Sequence, residues 1–424
     1  MITVRPPGDK SIAHRTLLFA SLADGASRIR GLPGSLDLAA TSRALVALGV
    51  DLIEHPDYVE VRGPTRFTNP AEPIHCGNSG TTARLLAGLI AGLGLALTLD
   101  GDASLRSRPM RRVVYPLQAM GARMEYLGET ERLPLRLHPR TSGALRPLRH
   151  RPRVASAQVK SALLLAGVTA RVSVEVQEPG RSRDHTERML NALGAPVTTA
   201  LDGDGHKIRL DADGWDGALT PFDLDVPGDP SSAAFLIAAA LLRHDPILVQ
   251  GVGLNPTRTA FLDILKTMGV SVEQRVHERA VGEPVGEILV GPPSRLDPFV
   301  IDGALIPRLI DEIPVLSVLA AHANGRSRIE DAGELRFKES DRLGRIAANL
   351  QELGAHCREL ADGLEIEGQD TALSGRVATG GDHRIAMAFG ILTTIRRHQI
   401  EIDDPECVQV SFPAFWDTLT RIAS

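Results

Sequence analysis

Cationic side chains recur beside the points where the sequence predicts helices to begin. The first turn of a helix presents unpaired N–H groups and a partial positive charge, and both favour an anion. Arginine adds a planar fork of donors that matches phosphate or carboxylate, and lysine adds a compact point charge. The cations are Lys10, Arg15, Arg84, Arg106, Arg108, Lys160, Arg181, Arg183, Arg336, Lys338, Arg342 and Arg384. One such arginine is more often half of a surface ion pair, but the whole set predicts binding of small, multiply charged anions.

Six segments that open with polar or glycine residues each lead into a stretch rich in alanine and leucine. The openings are typical of helix N-caps, and the stretches are typical of buried helices. The openings are residues 8–11, 77–81, 156–158, 228–232, 311–312 and 381–384, and helices are expected at 12–22, 82–93, 159–168, 233–242, 313–323 and 385–392. A pattern that returns along the whole chain indicates an internal repeat.

A second, more amphipathic helix is predicted between successive openings, and it ends in Leu or Met followed by glycine. Glycine there supplies the left-handed cap that stops a helix before the next strand. These glycines are Gly49, Gly121, Gly194, Gly269 and Gly354, spaced by 72, 73, 75 and 85 residues. Strands are expected at 50–54, 123–126 and 270–273, and a last helix at 412–422. The sequence therefore predicts six α/β units, three in each half of the chain.

Prolines and glycines between residues 215 and 230 predict a hinge between the third and fourth units. We assign residues 12–227 to an N-terminal-half domain and residues 228–424 to a C-terminal-half domain. A strand at 2–4 could complete the second domain, so residues 1–11 are assigned to it and the chain would cross over twice. The cleft between the two halves is the default active site.

Composition excludes several classes of protein. The chain has 424 residues, of which 43% are hydrophobic and 23% charged, with a net charge of −5. This charge argues against binding to duplex nucleic acid or to an acidic membrane surface. Cys76, Cys357 and Cys407 are far apart and form no Cys-x-x-Cys pair, which argues against a zinc ribbon or a disulfide framework. We expect a cytoplasmic monomer with no cofactor or metal, no nucleic-acid partner and no membrane association.

Several motifs, in order along nearly the whole chain, resemble those of the 3-phosphoshikimate 1-carboxyvinyltransferases, the enolpyruvyl-shikimate-phosphate synthases. They include Pro-Gly-Asp-Lys-Ser-Ile-Ala-His-Arg at 7–15, Gly-Asn-Ser-Gly-Thr-Thr-Ala-Arg at 77–84 and Lys-Glu-Ser-Asp-Arg at 338–342. The others lie at 101–110, 155–161, 182–186, 310–312 and 382–384. The resemblance implies a two-domain, inside-out α/β barrel of six βαβαββ units, three per domain.

The resemblance also implies a reaction and the residues that perform it. The family joins shikimate-3-phosphate to phosphoenolpyruvate and releases phosphate without a metal. Shikimate-3-phosphate is expected to contact Lys10, Ser11, Arg15, Ser156, Ala157, Gln158, Arg183, Asp311 and Lys338. Phosphoenolpyruvate is expected to contact Lys10, Gly80, Arg108, Gln158, Arg342 and Arg384.

The predicted catalytic residues are Lys10, Asp311 and Glu339. Asp311 matches the family's proton acceptor near the 5-hydroxyl, and Glu339 matches its proton donor to the methylene carbon. Without the flanking motifs, Asp311 would be interpreted as an ordinary N-cap and Glu339 as a solvated helix carboxylate.

Three departures from the enteric members of this family point to the second bacterial class. Residues 407–413 lack the lysine that binds phosphoenolpyruvate in the enteric enzymes, His185 stands at a tyrosine position, and Leu85 stands at a proline position. The resemblance also makes glyphosate, a competitor of phosphoenolpyruvate, an expected inhibitor that binds beside Gly80.

Two alternative functions remain open from the residues. The first is UDP-N-acetylglucosamine enolpyruvyl transferase, which shares the double-repeat fold but uses a loop cysteine in the segment matching 102–109, where this chain has none. The second is a non-catalytic anion-binding protein or a relative of the fold that processes RNA ends. Cys76 precedes a different motif and is predicted to be a buried strand residue.

Overall fold

The structure is a computed structural model that describes residues 1–140, 144–203, 205–303 and 305–424. Its helices are α1 (Lys10–Ala20), α2 (Leu36–Ala47), α3 (Gly80–Leu93), α4 (Ala103–Ser107), α5 (Arg111–Ala119), α6 (Ala157–Ala170), α7 (His185–Ala192), α8 (Pro230–Leu242), α9 (Ala260–Thr267), α10 (Ile306–Leu309), α11 (Ile313–Ala320), α12 (Arg342–Glu352), α13 (His383–Gly390) and α14 (Phe415–Ala423). Short 3-10 segments lie at Gly333–Phe337, Ile391–Thr394 and Pro405–Val410.

The strands of the first half are β1 (Ile2–Val4), β2 (Ala26–Arg30), β3 (Asp51–Glu54), β4 (Val59–Arg62), β5 (Ile74–His75), β6 (Leu97–Asp100), β7 (Met124–Tyr126), β8 (Leu135–Leu137), β9 (Leu148–His150), β10 (Val174–Glu178), β11 (Val197–Asp202), β12 (Gly205–Leu210) and β13 (Asp223–Asp225). Those of the second half are β14 (Ile247–Gly253), β15 (Ser271–Ala280), β16 (Glu283–Gly291), β17 (Val300–Ile301), β18 (Arg326–Ile329), β19 (His356–Glu359), β20 (Leu364–Glu367), β21 (Ser374–Val377) and β22 (Gln399–Ile402).

The chain divides into two compact units. The N-terminal-half unit contains residues 10–226 and 279–283, and the C-terminal-half unit contains residues 1–9, 227–278 and 284–424. Lys10 and Ser11, which the sequence analysis groups with the C-terminal half, belong to the N-terminal-half unit. The helical start of α1 accounts for this, because both residues lie in its first turn.

The predicted repeat is present as a sheet pattern that recurs in both units. In the sheet β5-β6-β8-β7, β5 and β6 are parallel, and β8 is antiparallel to both of its neighbours. The same order holds in β9-β10-β12-β11, β13-β2-β4-β3, β17-β18-β20-β19 and β1-β14-β16-β15. Among the described residues, the last repeat contributes the two-stranded parallel sheet β21-β22 alone.

The first strand of one repeat in each unit comes from a distant part of the chain. β1 pairs in parallel with β14, so the first residues of the chain complete a sheet of the C-terminal-half unit. β13 pairs in parallel with β2 and completes a sheet of the N-terminal-half unit in the same way. Residues 2–4 therefore lie beside β14 in the C-terminal-half unit.

Buried helices form the interior of each unit, and the sheets lie outside them. Nearly all of α1, α3 and α6 is buried in the N-terminal-half unit, as are α8, α11 and α13 in the C-terminal-half unit. The outer strands β3 and β15 are largely exposed. The six helices predicted from the openings are all present, so the two-domain inside-out α/β architecture is correct.

The predicted glycine caps are confirmed by their backbone angles. Each of the five adopts a positive φ, from 82° at Gly269 to 104° at Gly121. Side chains Ser79, Ser156 and Asp229 cap their helices as the openings predict. The opening at 311–312 differs, because Glu312 forms no cap bond and instead accepts a hydrogen bond from Ser231.

Candidate active site

Two of the predicted arginines and two of the predicted carboxylates meet in the C-terminal-half unit. Arg342, at the start of α12, donates through Nε to Asp382 Oδ2 at 2.8 Å and through Nη2 to Glu339 Oε2 at 2.5 Å. Its Nη1 lies 3.4 Å from Asp311 Oδ1, and Arg384 Nε lies 3.2 Å from the same oxygen. We refer to Asp311, Glu339, Arg342, Asp382 and Arg384 as the carboxylate–arginine cluster.

The members of this cluster differ in burial: two of them are enclosed by the protein, and two carboxylates are partly exposed. The side chains of Arg342 and Asp382 are at most 1% exposed, whereas those of Asp311 and Glu339 are 16% and 21% exposed. Burial alone would lower the pKa of Arg342, but the charges of Asp382, Glu339 and Asp311 outweigh it and raise that pKa. Arg342 therefore stays charged, while Asp311 and Glu339 are the carboxylates that a small molecule can reach.

Neither of the alternative structural roles weighed for these carboxylates fits. Asp311 does not cap α11, because Glu312 occupies the cap position and Asp311 is bound to two arginines. Glu339 precedes α12, whose cap is Asp341, and it pairs with Arg342 at the helix start. Both side chains are held by the arginines that the sequence assigns to an anion.

A second group of predicted residues lies together in the N-terminal-half unit, at the start of α3. Arg84 Nη1 donates to Gln158 Oε1 at 2.6 Å, and Arg108 Nη2 donates to Asn78 Oδ1 at 2.5 Å. A Cβ on Gly80 would lie 2.8 Å from Arg84 Nη1 and 3.5 Å from Arg108 Nη1. We call Asn78, Gly80, Arg84, Arg108 and Gln158 the amide–arginine cluster. In this cluster two guanidinium groups lie beside Gly80, the first residue of α3, which has no side chain.

The first turn of α1 provides the other predicted contacts of this unit. Lys10 Nζ lies 2.8 Å from Asp37 Oδ2, and both side chains remain partly exposed at 16% and 10%. Arg15 is almost fully buried and donates to Thr186 Oγ1 and Ser161 Oγ, both at 2.7 Å. Arg15 thus ties α1 to α6 and α7, and its direct contact with shikimate-3-phosphate stays a prediction.

The remaining predicted residues lie at the ends of elements. Ser156 is the N-cap of α6, and Ala157 and Gln158 are the first two residues of that helix. Arg183 lies half-buried in the loop before α7, and Lys338 follows a 3-10 segment before α12. A helix start with its N–H groups and serine cap suits a phosphate.

Several of the cations that the sequence groups together are engaged in ion pairs. Lys160, one of the cations predicted to bind anions, is buried and lies 3.0 Å from Glu178 Oε2 and 2.7 Å from Glu187 Oε1, so its charge is used within the protein. Spacing along a helix places a residue near the start and on one side, but it does not say which side chains from elsewhere in the chain pack against it. The outer cations Arg106, Arg181 and Arg336 pair with Asp100, Asp184 and Asp341, respectively.

Three side chains that hold site residues were not predicted. They are Asp37 beside Lys10, Asp382 beside Arg342 and Glu178 beside Ser156. Arg84, which donates to Gln158, was predicted to bind an anion but not to contact either substrate. Asp382 lies inside a recognised motif and could have been included on that ground. Nothing local to Asp37 or Glu178 marks them, since each meets its partner through the fold.

The departures from the enteric members also have defined positions. His185 is 1% exposed and its Nδ1 lies 2.9 Å from Glu283 Oε1. The segment without the lysine forms the 3-10 turn Pro405–Val410 and its continuation. Cys76 is fully buried, as predicted, but it lies directly after β5 rather than within a strand, and burial raises the pKa of its thiol to about 12.

The part of the chain that the structure describes has no metal-binding cluster and no helix that could span a membrane. No three or more His, Cys, Asp and Glu side chains there are arranged to hold a metal ion. No helix among these residues is both long and apolar enough to cross a membrane.

Comparison with known proteins identifies first the fold and then the family. The enolpyruvyl transferase NikO from Streptomyces tendae superimposes with a TM-score of 0.76 at 18% identity, covering 100% of this chain and 94% of its own, which shows a shared fold. EPSP synthase from Acinetobacter baumannii gives a TM-score of 0.84 at 35% identity, with coverage of 99% and 95%.

Sequence comparison agrees with the structural one. A Salinibacter ruber protein named 3-phosphoshikimate 1-carboxyvinyltransferase is 46% identical over 427 residues, covering 99% of this chain and 96% of its own. The family described as EPSP synthase (3-phosphoshikimate 1-carboxyvinyltransferase) matches residues 2–419. The chain belongs to this family.

Proposed function

We propose that the chain transfers the enolpyruvyl group of phosphoenolpyruvate to the 5-hydroxyl of shikimate-3-phosphate. The hydroxyl oxygen bonds to the enol carbon while the methylene carbon takes up a proton. The tetrahedral intermediate then breaks its bond to phosphate and gives a proton back, which restores the double bond. The observation that carries this proposal is the carboxylate–arginine cluster, in a chain that belongs to the EPSP synthase family.

Each part of the reaction has a group of suitable chemistry. Asp311 accepts the proton of the 5-hydroxyl, and Glu339 donates one to the methylene carbon, since both carboxylates are reachable and positioned by arginine. Arg342 and Arg384 supply fixed positive charge for the carboxylate and phosphate of phosphoenolpyruvate. Their pairing with Asp311 and Glu339 offsets the repulsion between the two cations.

The N-terminal-half unit contributes the other contacts. Lys10 neutralises charge on both substrates, and Gly80, Arg108 and Gln158 bind phosphoenolpyruvate. Ser11, Arg15, Arg183 and the start of α6 bind shikimate-3-phosphate together with Lys338 of the other unit. We propose that substrates are bound by both units, which is the arrangement expected from the sequence.

The cellular setting belongs to the same proposal. The enzyme works as a cytoplasmic monomer on two small molecules, with no cofactor and no nucleic-acid partner. UDP-N-acetylglucosamine is not favoured as the acceptor, because residues 102–109 contain no cysteine to act as the acid.

A phosphate-release assay tests the proposal directly. Phosphate should appear from phosphoenolpyruvate only when shikimate-3-phosphate is present, and chelation of metals should leave the rate unchanged. Glu339→Gln should lower kcat by about a hundredfold or more with little change in KM, because a proton donor is lost while the binding groups remain. Release with UDP-N-acetylglucosamine instead, or near-normal turnover of the variant, would contradict the proposal.

A further inference from the structure

A buried carboxylate connects two of the segments proposed to bind shikimate-3-phosphate. Glu178, the last residue of β10, is 3% exposed. Its Oε1 accepts the backbone N–H of Ser156 at 2.8 Å, at the start of α6. The hydroxyl of Ser182 lies 2.9 Å from Oε1 and 2.8 Å from Oε2 of the same carboxylate. One side chain therefore fixes both the helix start and the loop that leads to Arg183.

Lys160 compensates the charge of this carboxylate. Its Nζ lies 3.0 Å from Glu178 Oε2 and 2.7 Å from Glu187 Oε1, and its side chain is 1% exposed. Burial alone would lower the pKa of Lys160, but the two carboxylates outweigh burial and raise it, so the ammonium stays charged. Burial raises the pKa of Glu187, and its Oε2 accepts no hydrogen bond. Of the two carboxylates, Glu178 accepts hydrogen bonds from more donors: the Ser156 N–H, the Ser182 hydroxyl and the Lys160 ammonium.

Glu178 lies near the proposed phosphate site, and its negative charge would repel a phosphate. Its presence there must therefore bring a compensating advantage. Here Ser156 donates its N–H to Glu178, and its own Oγ accepts the N–H of Val159 at 3.5 Å. These bonds hold the orientation of the first turn of α6, whose remaining N–H groups are available to an anion. Hydrogen bonds to a charged acceptor are stronger and shorter than neutral ones, so the carboxylate holds the serine more rigidly than an amide would.

We propose that Glu178 is a positioning residue for shikimate-3-phosphate, which holds the start of α6 and the Ser182–Arg183 loop in the arrangement that receives the phosphate. Lys160 offsets part of the negative charge that this arrangement would otherwise direct at the ligand. The inference rests on the proposed function, because it takes the phosphate to bind at these segments. Glu178 acts through Ser156 and Ser182 and makes no contact with the reacting atoms.

The test compares Glu178→Gln with Glu178→Asp and with a matched control. Glutamine keeps the size of the side chain but loses the charge, and its NH2 group cannot accept from Ser182 or Lys160. Glu60→Gln removes another buried carboxylate of the same unit, which pairs with Arg28 and Arg62 and has no proposed role in catalysis. Each protein is checked for folding by its Tm, and shikimate-3-phosphate binding is measured by calorimetry without phosphoenolpyruvate.

We expect Glu178→Gln to raise the Kd and the KM for shikimate-3-phosphate about tenfold or more, because hydrogen bonds to a charged group are lost. The KM for phosphoenolpyruvate and kcat at saturation should stay within about twofold. Glu178→Asp should recover part of the affinity, and Glu60→Gln should leave all four constants unchanged.

The outcomes separate the inference from the function on which it rests. A wild type that releases no phosphate with shikimate-3-phosphate contradicts the proposed function itself. An active wild type with an unchanged Kd in Glu178→Gln overturns the positioning role alone. If both Glu178 variants lower the Tm and impair catalysis and the binding of both substrates to the same degree, Glu178 serves the stability of the unit. That result equally overturns the positioning role.

Discussion

Gly80 is the residue of the amide–arginine cluster at which an added methyl group would lie beside two arginine side chains. A Cβ there would lie 2.8 Å from Arg84 Nη1 and 3.5 Å from Arg108 Nη1, so Arg84 must move and the space beside the helix start must shrink. Both neighbours are the ends of flexible side chains, which can adjust for a short ligand more readily than for a longer one.

We therefore predict that Gly80→Ala raises the inhibition constant of glyphosate more than the KM for phosphoenolpyruvate, by at least about tenfold in their ratio. The measurement is a set of inhibition curves at matched substrate saturation, with a glyphosate-sensitive wild type as the reference. Gly34→Ala serves as the control, because a Cβ there meets nothing within 4 Å. Parallel changes in the two constants, or a tolerant wild type, would refute the role given to Gly80.

The residues of the site divide into those that the sequence could predict and those that it could not. Asp311, Glu339 and Arg342 lie in motifs of fixed spacing, and the fold brings them within hydrogen-bond distance. Glu178 was not predicted, because its partners Ser156 and Ser182 are contacts made by the strand order rather than by neighbours in the chain. Spacing predicts which helix start a residue occupies, whereas burial of its charge depends on the packing behind it.

Among the elements, the helices and their ends were the most predictable. Glycine caps such as Gly121 follow from local backbone strain, so a local pattern is sufficient to find them. The short helices α4 and α10 were not predicted, since four or five residues carry too little hydrophobic periodicity. The parallel pairing of β13 with β2 joins residues about two hundred positions apart, and no local signal specifies it.

Two histidines join α11 to the segment before β22. His398 Nδ1 accepts the N–H of Leu373 at 2.9 Å, so its Nε2 donates to His322 Nε2 at 3.2 Å, and His322 Nδ1 donates to the carbonyl of Val318 at 2.9 Å. This chain of bonds needs both rings neutral. Burial, His322 and the nearby Arg397 lower the pKa of His398 to about 4, and burial lowers that of His322.

We predict that this element makes the protein sensitive to acid. The unfolded chain takes up a proton at its ordinary pKa of 6.5 and the folded one only near 4, so stability falls as the pH falls between these values. His398→Asn keeps an acceptor for Leu373 and cannot be charged in this way, so its Tm should fall by about 2 °C less than the wild type's between pH 7 and 5. Thermal melts at both pH values measure this, with exposed His356→Asn as the control. Equal losses of Tm in all three proteins would exclude the histidine pair as the cause.

The organisation of the whole chain depends on two strands, β1 and β13, that pair with strands far from them in the sequence. β1 and α1 are consecutive, yet β1 belongs to the C-terminal-half unit and α1 to the N-terminal-half unit. Buried Arg258 fixes the end of β1's segment, because its Nη1 lies 2.7 Å from Asp9 Oδ2 and its Nη2 lies 2.9 Å from Asp229 Oδ1. A buried arginine paired with two carboxylates cannot be released without exposing unpaired charge.

This topology predicts that a change near the start of the chain loosens the unit formed mostly by its second half. Val4 pairs with Val249 and packs on the C-terminal-half core, while Val59 pairs with Ile29 and packs on the N-terminal-half core. Val4→Ser should therefore speed backbone hydrogen exchange in β14 and leave β2 protected, and Val59→Ser should do the reverse. Exchange followed by mass spectrometry distinguishes the two, since each variant removes an apolar side chain of the same size from one sheet. If Val4→Ser instead speeds exchange in β2 and spares β14, the unit to which the first strand belongs has been assigned wrongly.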